Sequence, residues 1–390
     1  MPYNIYLKKN EEKRIVAGHP WVYANEVSKI EGKDKNGSLA TVFDFNGRYI
    51  GKGFINHLSK ILVRIFIRDN EEVTENLFKE RILNADNYRK SIGLTDSYRM
   101  VFGESDNLPG LVVDKYGETY SLQFLTLGMD LQKDIIVKIL IDLFSPKCIF
   151  ERSDLSVREK EGLTQQKNVL YGKLDSPTEI IENGIKMLID IENGQKTGYF
   201  LDQKFNRLAI RKYAEGKEVL DCFCNSGGFS LNAAKASAKS VLSLDISELA
   251  LNDVKRNAEI NELSSIIKTE CVDVFQQLRE YKKEGKEFDL IILDPPAFCK
   301  SASEIMDAMR GYKDINTLAM KLIRKGGFLA TCSCSQHITF PLFEEMLKSA
   351  AYESKRIVRI VEIKTQSPDH PSLLSANETA YLKFYILNIL

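Results

Sequence analysis

The sequence predicts an α/β protein in three parts. A small β-rich unit spans 1–72, a central α/β unit with a hairpin linker spans 73–189, and a C-terminal Rossmann-like domain on a mostly parallel sheet spans 190–390. Three observations predict this. The chain has 390 residues, more than one hydrophobic core usually supports. Its first 72 residues hold short β-branched and aromatic runs broken by turn residues. From about Phe200 onward apolar strands alternate with helical segments, the pattern of a parallel sheet covered on both faces.

The first unit rests on the runs at Trp21–Tyr23, Ala40–Phe43, Tyr49–Phe54 and Ile61–Ile67. Asn46-Gly47 is a hairpin turn, both residues tolerating positive φ, and the charged break Asp69–Glu72 ends the unit. The central unit follows with a helix over about 74–92, strands at Leu111–Asp114 and Tyr120–Phe124, a helix over about 129–144 and a strand at Cys148–Phe150. Gly162, Gly172 and Gly184 are turn candidates in the charged stretch that follows. In the last unit, strands are expected at Glu218–Asp221, Ser240–Asp245, Ile267–Cys271, Phe288–Asp294 and Gly327–Cys332.

Composition narrows the function classes. Apolar residues make up 44% of the chain, ordinary for a folded globular protein, and no apolar run approaches a bilayer span. Residues 1–10 are polar and carry no apolar core of a secretory signal. The seven cysteines are an odd number and build no disulfide framework, so a reducing cytoplasm is expected. The formal net charge is zero, which argues against nucleic-acid binding by bulk charge. Residues 1–72 hold 12 Lys and Arg against 9 Asp and Glu, a surplus of 3.

The motif that carries most chemistry runs from Val219 to Asp245. A strand enters the small-residue loop Cys222-Phe-Cys-Asn-Ser-Gly-Gly228, and a helix follows. Glycines let a ligand approach the backbone, and a helix start offers unpaired N–H groups. A second strand ends at Asp245, 24 positions after Asp221, where an acid bonds ribose hydroxyls. The loop departs from the dinucleotide Gly-x-Gly-x-x-Gly fingerprint. Asp221 would repel a pyrophosphate but suits the cationic methionine end of S-adenosylmethionine. A third strand ends near Asp273, within reach of an adenine amine. Each of these acids also reads as a helix cap, which is the alternative for any one of them taken alone.

Two further motifs describe a reaction. Asp294-Pro-Pro-Ala-Phe298 follows the fourth strand. The Pro-Pro pair makes a rigid turn with exposed carbonyls, and Phe298 can stack on a flipped base. The alternative is a simple strand-ending turn. After the fifth strand comes Thr331-Cys-Ser-Cys-Ser335. Carbon 5 of a pyrimidine is a poor nucleophile, and a thiolate adding to C6 turns the ring into an enamine whose C5 can take a methyl group. Cys334, just past the strand end, is the candidate nucleophile. Its alternative is a buried small hydrophobe. Cys332 reads as packing, and Cys299 ranks below Cys334. The pairs Cys222/Cys224 and Cys332/Cys334 lack usual zinc spacing, the four histidines show no ligand spacing, and no metal is expected.

Longer stretches resemble the PUA-containing bacterial 23S ribosomal RNA cytosine-C5 methyltransferases along essentially the whole chain. Arg14-Ile-Val-Ala-Gly-His-Pro-Trp-Val-Tyr23 looks like the family's PUA opening, Gly103–Asp114 like its central signature, and Glu151–Asp154 like its hairpin. Thr197–Arg207, Asp294–Phe298, Arg310–Asn316 and Ser333–Ser335 are similar to catalytic motifs. The resemblance implies a class I methyltransferase domain with a seven-stranded sheet, after a PUA-like and a central α/β domain. It implies S-adenosylmethionine contacts from Phe200, Asp202, Gln203, Asp221, Phe223, Asn225, Gly227, Asp245, Ile246, Ser247, Asp273, Val274 and Asp294, with S-adenosylhomocysteine as product. It implies Cys334 as nucleophile, beside Asp294 and Phe298. The implied partner is structured RNA, 23S rRNA or a large-subunit assembly intermediate, with a homodimer left open and no membrane. Relatives with the same Asp-Pro-Pro-x-Phe turn methylate guanine and lack the cysteine after the fifth strand. A methyltransferase of guanine or an exocyclic amine, and a non-catalytic RNA-binding protein, are the competing readings. The base that removes the C5 proton is unassigned; Glu378 and His370 are its candidates.

Overall fold

A computed structural model describes residues 1–69 and 71–390, so Asn70 of the charged break after the first strands lies outside the described residues. The chain forms two compact units. The first comprises 1–180, 190–201 and 368–379, and the second comprises 181–189, 202–367 and 380–390.

The first unit begins with a six-stranded sheet. Its strands are β1 (Tyr3–Leu7), β2 (Trp21–Tyr23), β3 (Val27–Glu31), β4 (Leu39–Phe43), β5 (Tyr49–Ile55) and β6 (Ile61–Ile67), in the order β2-β6-β5-β4-β1-β3, with the short helix α1 (Glu12–Val16) after β1. Alternate strand residues such as Ile5, Leu7, Val42 and Val63 fill its core. At the β4–β5 turn only Gly47 takes a left-handed backbone (φ 80°). Asn46 stays out of that region because Asp44 organises the turn: its Oδ1 accepts from the N–H groups of Asn46 and Arg48, both at 2.8 Å.

The helix α2 (Glu75–Ser91) starts where Thr74 accepts from the Leu77 N–H. A five-stranded sheet follows, with β7 (Ser97–Phe102), β8 (Leu111–Tyr116), β9 (Thr119–Phe124), β10 (Cys148–Ser153) and β11 (Gln166–Gly172) in the order β11-β10-β9-β8-β7. The helix expected over 129–144 is two pieces, α3 (Leu127–Asp130) and α4 (Lys133–Phe144). Gly162, Gly172 and Gly184 all take positive φ, at 75°, 69° and 72°. Arg64 ties the two sheets together, donating to Glu104 and Glu161, each at 3.0 Å. The buried Glu161 also accepts from Ser59 (2.6 Å) and Asn56 (2.9 Å), so both of its carboxylate oxygens are satisfied.

Strands β12 (Thr178–Glu182) and β13 (Ile185–Ile189) make a two-stranded sheet. The second unit is built on a seven-stranded sheet of β14 (Glu218–Cys222), β15 (Ser240–Asp245), β16 (Ile267–Cys271), β17 (Phe288–Leu293), β18 (Ile323–Ser333), β19 (Val358–Lys364) and β20 (Lys383–Ile389). Their order is β16-β15-β14-β17-β18-β20-β19. The pairs from β16 to β18 are parallel, while β20 runs antiparallel to both β18 and β19, so the sheet is mixed. Helices α5 (Lys204–Ala209), α6 (Gly228–Lys235), α7 (Glu248–Ile260), α8 (Val274–Glu284), α9 (Ile305–Leu322) and α10 (Phe340–Ser354) complete it. Leu220, Ile291, Leu293, Ile315, Leu329 and Phe343 lie in its continuous core. The carboxyl ends of β14, β15, β17 and β18 therefore meet at one edge, next to the point where the strand order reverses. Among the described residues no helix is long and apolar enough to cross a membrane.

Candidate active site

Asp221 ends β14 fully buried. Its Oδ2 accepts from the Ser230 hydroxyl at 2.6 Å, and Ser230 contacts Ser243 of β15 at 2.6 Å. Its Oδ1 is buried with no hydrogen-bond partner. Burial, with added repulsion from Asp294 and Asp245, pushes the Asp221 carboxyl up to about 7. A buried carboxylate with an unsatisfied oxygen calls for a donor or a cation.

The loop after β14 is strained where a ligand would approach. Phe223 and Asn225 hold left-handed backbones, φ 62° and 48°, and Gly227 follows at 84° as the cap of α6. The Asn225 N–H donates to Asp245 Oδ2 at 2.9 Å, and the Ser247 N–H donates to Asp245 Oδ1 at 2.9 Å. Asp245 thus holds the loop and the start of α7 together. Ser247 caps α7 through the Ala250 N–H (3.3 Å), and Ile246 between them is exposed. Asp273 caps α8, accepting from the Gln276 N–H at 2.9 Å, and Val274 is the buried first residue of that helix. The capping reading therefore holds for Asp273 and describes one oxygen of its carboxylate.

Asp294 follows β17. Its Oδ1 accepts from Gln203 Nε2 (2.9 Å) and from the Cys332 thiol (2.8 Å). Asn206 Nδ2 in turn donates to Gln203 Oε1 at 2.7 Å, orienting the amide. Asp202 accepts from the Tyr381 hydroxyl at 2.6 Å. Phe298 is half-buried, packed against Tyr312 (ring centroids 4.6 Å apart) and Phe275 (5.8 Å).

The three thiols near the end of β18 differ. Cys332 is buried, donates to Asp294, and is pushed well up by burial and by that neighbouring acid. Cys299 is buried, its thiol raised by burial, with Sγ donating to the Ser301 carbonyl at 3.1 Å. Cys334 is partly exposed. Its flanking serines are pinned: Ser333 Oγ donates to the Tyr312 hydroxyl at 3.0 Å, and Ser335 Oγ accepts from the Cys299 N–H at 3.2 Å and lies 3.0 Å from the same hydroxyl. None of the seven cysteines is in a disulfide, and among the described residues no group of His, Cys, Asp or Glu could hold a metal.

Three expected residues belong to the first unit. Phe200 lies there with Lys196 over its ring at 4.4 Å. His370 contacts Asp369 at 2.9 Å and packs on Phe102, and Glu378 pairs with His19 at 3.4 Å. Sequence reasoning missed Tyr312, Ser230 and Lys383. Tyr312 sits inside the quoted Arg310–Asn316 motif, so its signal was present without a role. Lys383, opening an apolar strand, reads as a solvated strand end.

Residues 5–68 match a PUA-like domain family model, and residues 164–385 match one for S-adenosylmethionine-dependent methyltransferases. Curated relatives align end to end. Ribosomal RNA large subunit methyltransferase I of Aeromonas hydrophila is 40% identical over 98% of each chain, and that of Vibrio cholerae is 41% identical over 99% of each. The chain belongs to the ribosomal RNA large subunit methyltransferase I family. It is an S-adenosylmethionine-dependent methyltransferase. Solved folds agree. A Streptococcus mutans protein described as a SAM-dependent methyltransferase superposes at TM-score 0.84 with 19% identity, and SMU.776, a methyltransferase complexed with SAH, at 0.86 with 18% identity, each over the full length of both chains. The family's cofactor fits the site. The unsatisfied Asp221 Oδ1 and the strained Phe223–Gly227 backbone face a common strand-end edge, and the acids there suit a cationic ligand.

Proposed function

We propose that this enzyme makes 5-methylcytosine in 23S ribosomal RNA through a covalent Cys334 adduct. The observation that carries this reading is the contrast among three thiols. Cys332 and Cys299 are buried and committed as donors, to Asp294 and to the Ser301 carbonyl, whereas Cys334 is partly exposed on a turn fixed by Ser333 and Ser335. The relatives' names supply the ribosomal RNA of the large subunit as substrate class.

In this reading Asp221, Phe223, Asn225, Gly227, Asp245, Ile246, Ser247, Asp273, Val274, Asp202, Gln203 and Asp294 hold S-adenosylmethionine. When bound, S-adenosylmethionine supplies an electrophilic methyl group on a sulfonium. Cys334 adds to C6 of the cytosine as a thiolate, forming the S–C6 bond and moving the ring electrons to C5. After C5 carries its methyl group, a base removes the C5 proton, the C5–C6 double bond re-forms and the S–C6 bond breaks. Asp294, oriented by Gln203, positions the base, and Phe298 supplies an aromatic platform. The PUA-like part over 1–72 and the central α/β part over 73–189 grip the RNA for the catalytic part over 190–390.

The test is Cys334→Ala. Methyl transfer to ribosomal RNA should fall below detection, with S-adenosylmethionine binding retained within about twofold. An undiminished rate in that variant would show that the methylated atom needs no thiol, as for guanine or an exocyclic amine.

A further inference from the structure

Lys383 is the first residue of β20 and pairs in register with Ser333 on β18, one position before Cys334. Its side chain is buried. The ammonium donates to the carbonyls of Ser335 and Tyr381, both at 2.7 Å. Both acceptors are neutral, so two of its three N–H groups are satisfied while its charge is not balanced by either. The groups it acts on electrostatically are Cys332 on β18, Cys334 just past the end of that strand and Cys299 after β17. A buried cation paired in register with Ser333 and bonded to the Ser335 carbonyl flanks Cys334 on both sides along the chain, an arrangement that favours a negative sulfur there.

We propose that Lys383 is a positioning residue that holds the Cys334 sulfur as a thiolate. This deepens the reading of Cys334 as nucleophile and rests on it for its effect on methyl transfer. The other two thiols are excluded by their own bonds: the Cys332 proton is committed to Asp294 Oδ1 and the Cys299 proton to the Ser301 carbonyl. The other titratable groups around the Cys334 turn are Tyr312 on α9, Asp294 after β17 and the exposed His337 downstream. Tyr312 is pushed up to about 12 by burial and stays neutral, and Asp294 opposes an anion, so Lys383 supplies the favourable charge. Burial draws Lys383 itself down to about 8, which leaves it mostly protonated at pH 7. The Cys334 proton goes to solvent. Lys383 keeps its three protons, and no bond to it forms or breaks.

The experiment is alkylation of the full-length protein by iodoacetamide across pH 5.5 to 9.5, with each cysteine followed by peptide mass spectrometry. In the unmodified sequence Cys334 should react with a midpoint about one pH unit or more below the ordinary thiol value of about 8.5. Lys383→Met should raise that midpoint by about one unit or more, and Lys383→Arg should stay nearer the parent. Methyl transfer at pH 7 should fall about tenfold in kcat in Lys383→Met, with KM for RNA within about twofold. A Cys334 midpoint at or above about 8.5 in the parent protein overturns the proposal without any variant, as does an unmoved midpoint in a Lys383→Met protein that still binds S-adenosylhomocysteine. If Lys383→Met fails to fold, the parent midpoint decides alone. Failure of the nucleophile reading looks different: Cys334→Ala would keep methylating while the parent's Cys334 alkylation midpoint stayed low.

Discussion

In the proposed site, Asp221 is the residue whose charge state should govern cofactor binding. Its carboxyl titrates ordinarily at 3.8 and is pushed up to about 7 by burial. The folded apo protein therefore binds more protons than the unfolded chain between these values, and stability contributed here falls as pH rises from about 4 to about 7. The loss is on the order of 4 kcal/mol once complete. Asp221→Asn keeps an acceptor for Ser230 and removes the charge. Its apo melting temperature should exceed the parent's at pH 8 and match it near pH 4; equal melting at pH 8 would contradict the burial argument. A cationic cofactor favours the ionised form, so the parent should bind S-adenosylmethionine more tightly at pH 8 than at pH 6 and release a proton on binding near pH 7. Calorimetry in buffers of different ionisation enthalpy measures that proton. Residue types with few uses at a strand end made Asp221, Asp245, Asp294 and Cys334 candidates from the sequence, and the structure sets Asp221, Asp245 and Asp294 at or just past strand ends. Lys383 was not legible, since a lysine opening a strand is usually solvated and only the pairing of β20 with β18 buries this one.

At the scale of elements, the loop from β14 into α6 does the positioning. Gly227 has φ +84°, and a Cβ there would lie 3.1 Å from the Val254 side chain of α7. Gly227→Ala should cost about 1 kcal/mol in backbone strain alone. It should also displace the loop that Asp245 holds through the Asn225 N–H, weakening S-adenosylmethionine binding at least several-fold with little change in secondary structure. Unchanged affinity, measured by titration calorimetry, would show that the loop does not form the site. Element boundaries followed local chemistry where a cap declares itself, as with Thr74 before α2. They failed where tertiary packing decides. The helix expected over 129–144 is broken between α3 and α4, and β19 and β20, which follow the last expected strand, form an antiparallel pair that the alternation of parallel strands and helices does not announce.

For the whole molecule, the α/β class was readable from length and periodicity. The exchange of segments was not: 190–201 and 368–379 join the first unit and 181–189 joins the second, a pairing that only long-range contacts specify. The charge balance bears on RNA. With a formal net charge of zero and a surplus of only 3 basic groups in residues 1–72, few phosphates are neutralised. Three such contacts would give a loss of affinity of about 20- to 40-fold between 50 and 200 mM salt. A loss of about a thousandfold would reveal a basic face that the totals conceal. The central claim is tested most directly by nucleoside mass spectrometry of 23S ribosomal RNA methylated by the parent protein and by Cys334→Ala. The parent should yield 5-methylcytosine and the variant none, although the variant still binds S-adenosylmethionine. Methylated guanosine or an N-methylated base from the parent, or 5-methylcytosine formed as fast without the thiol, would contradict it.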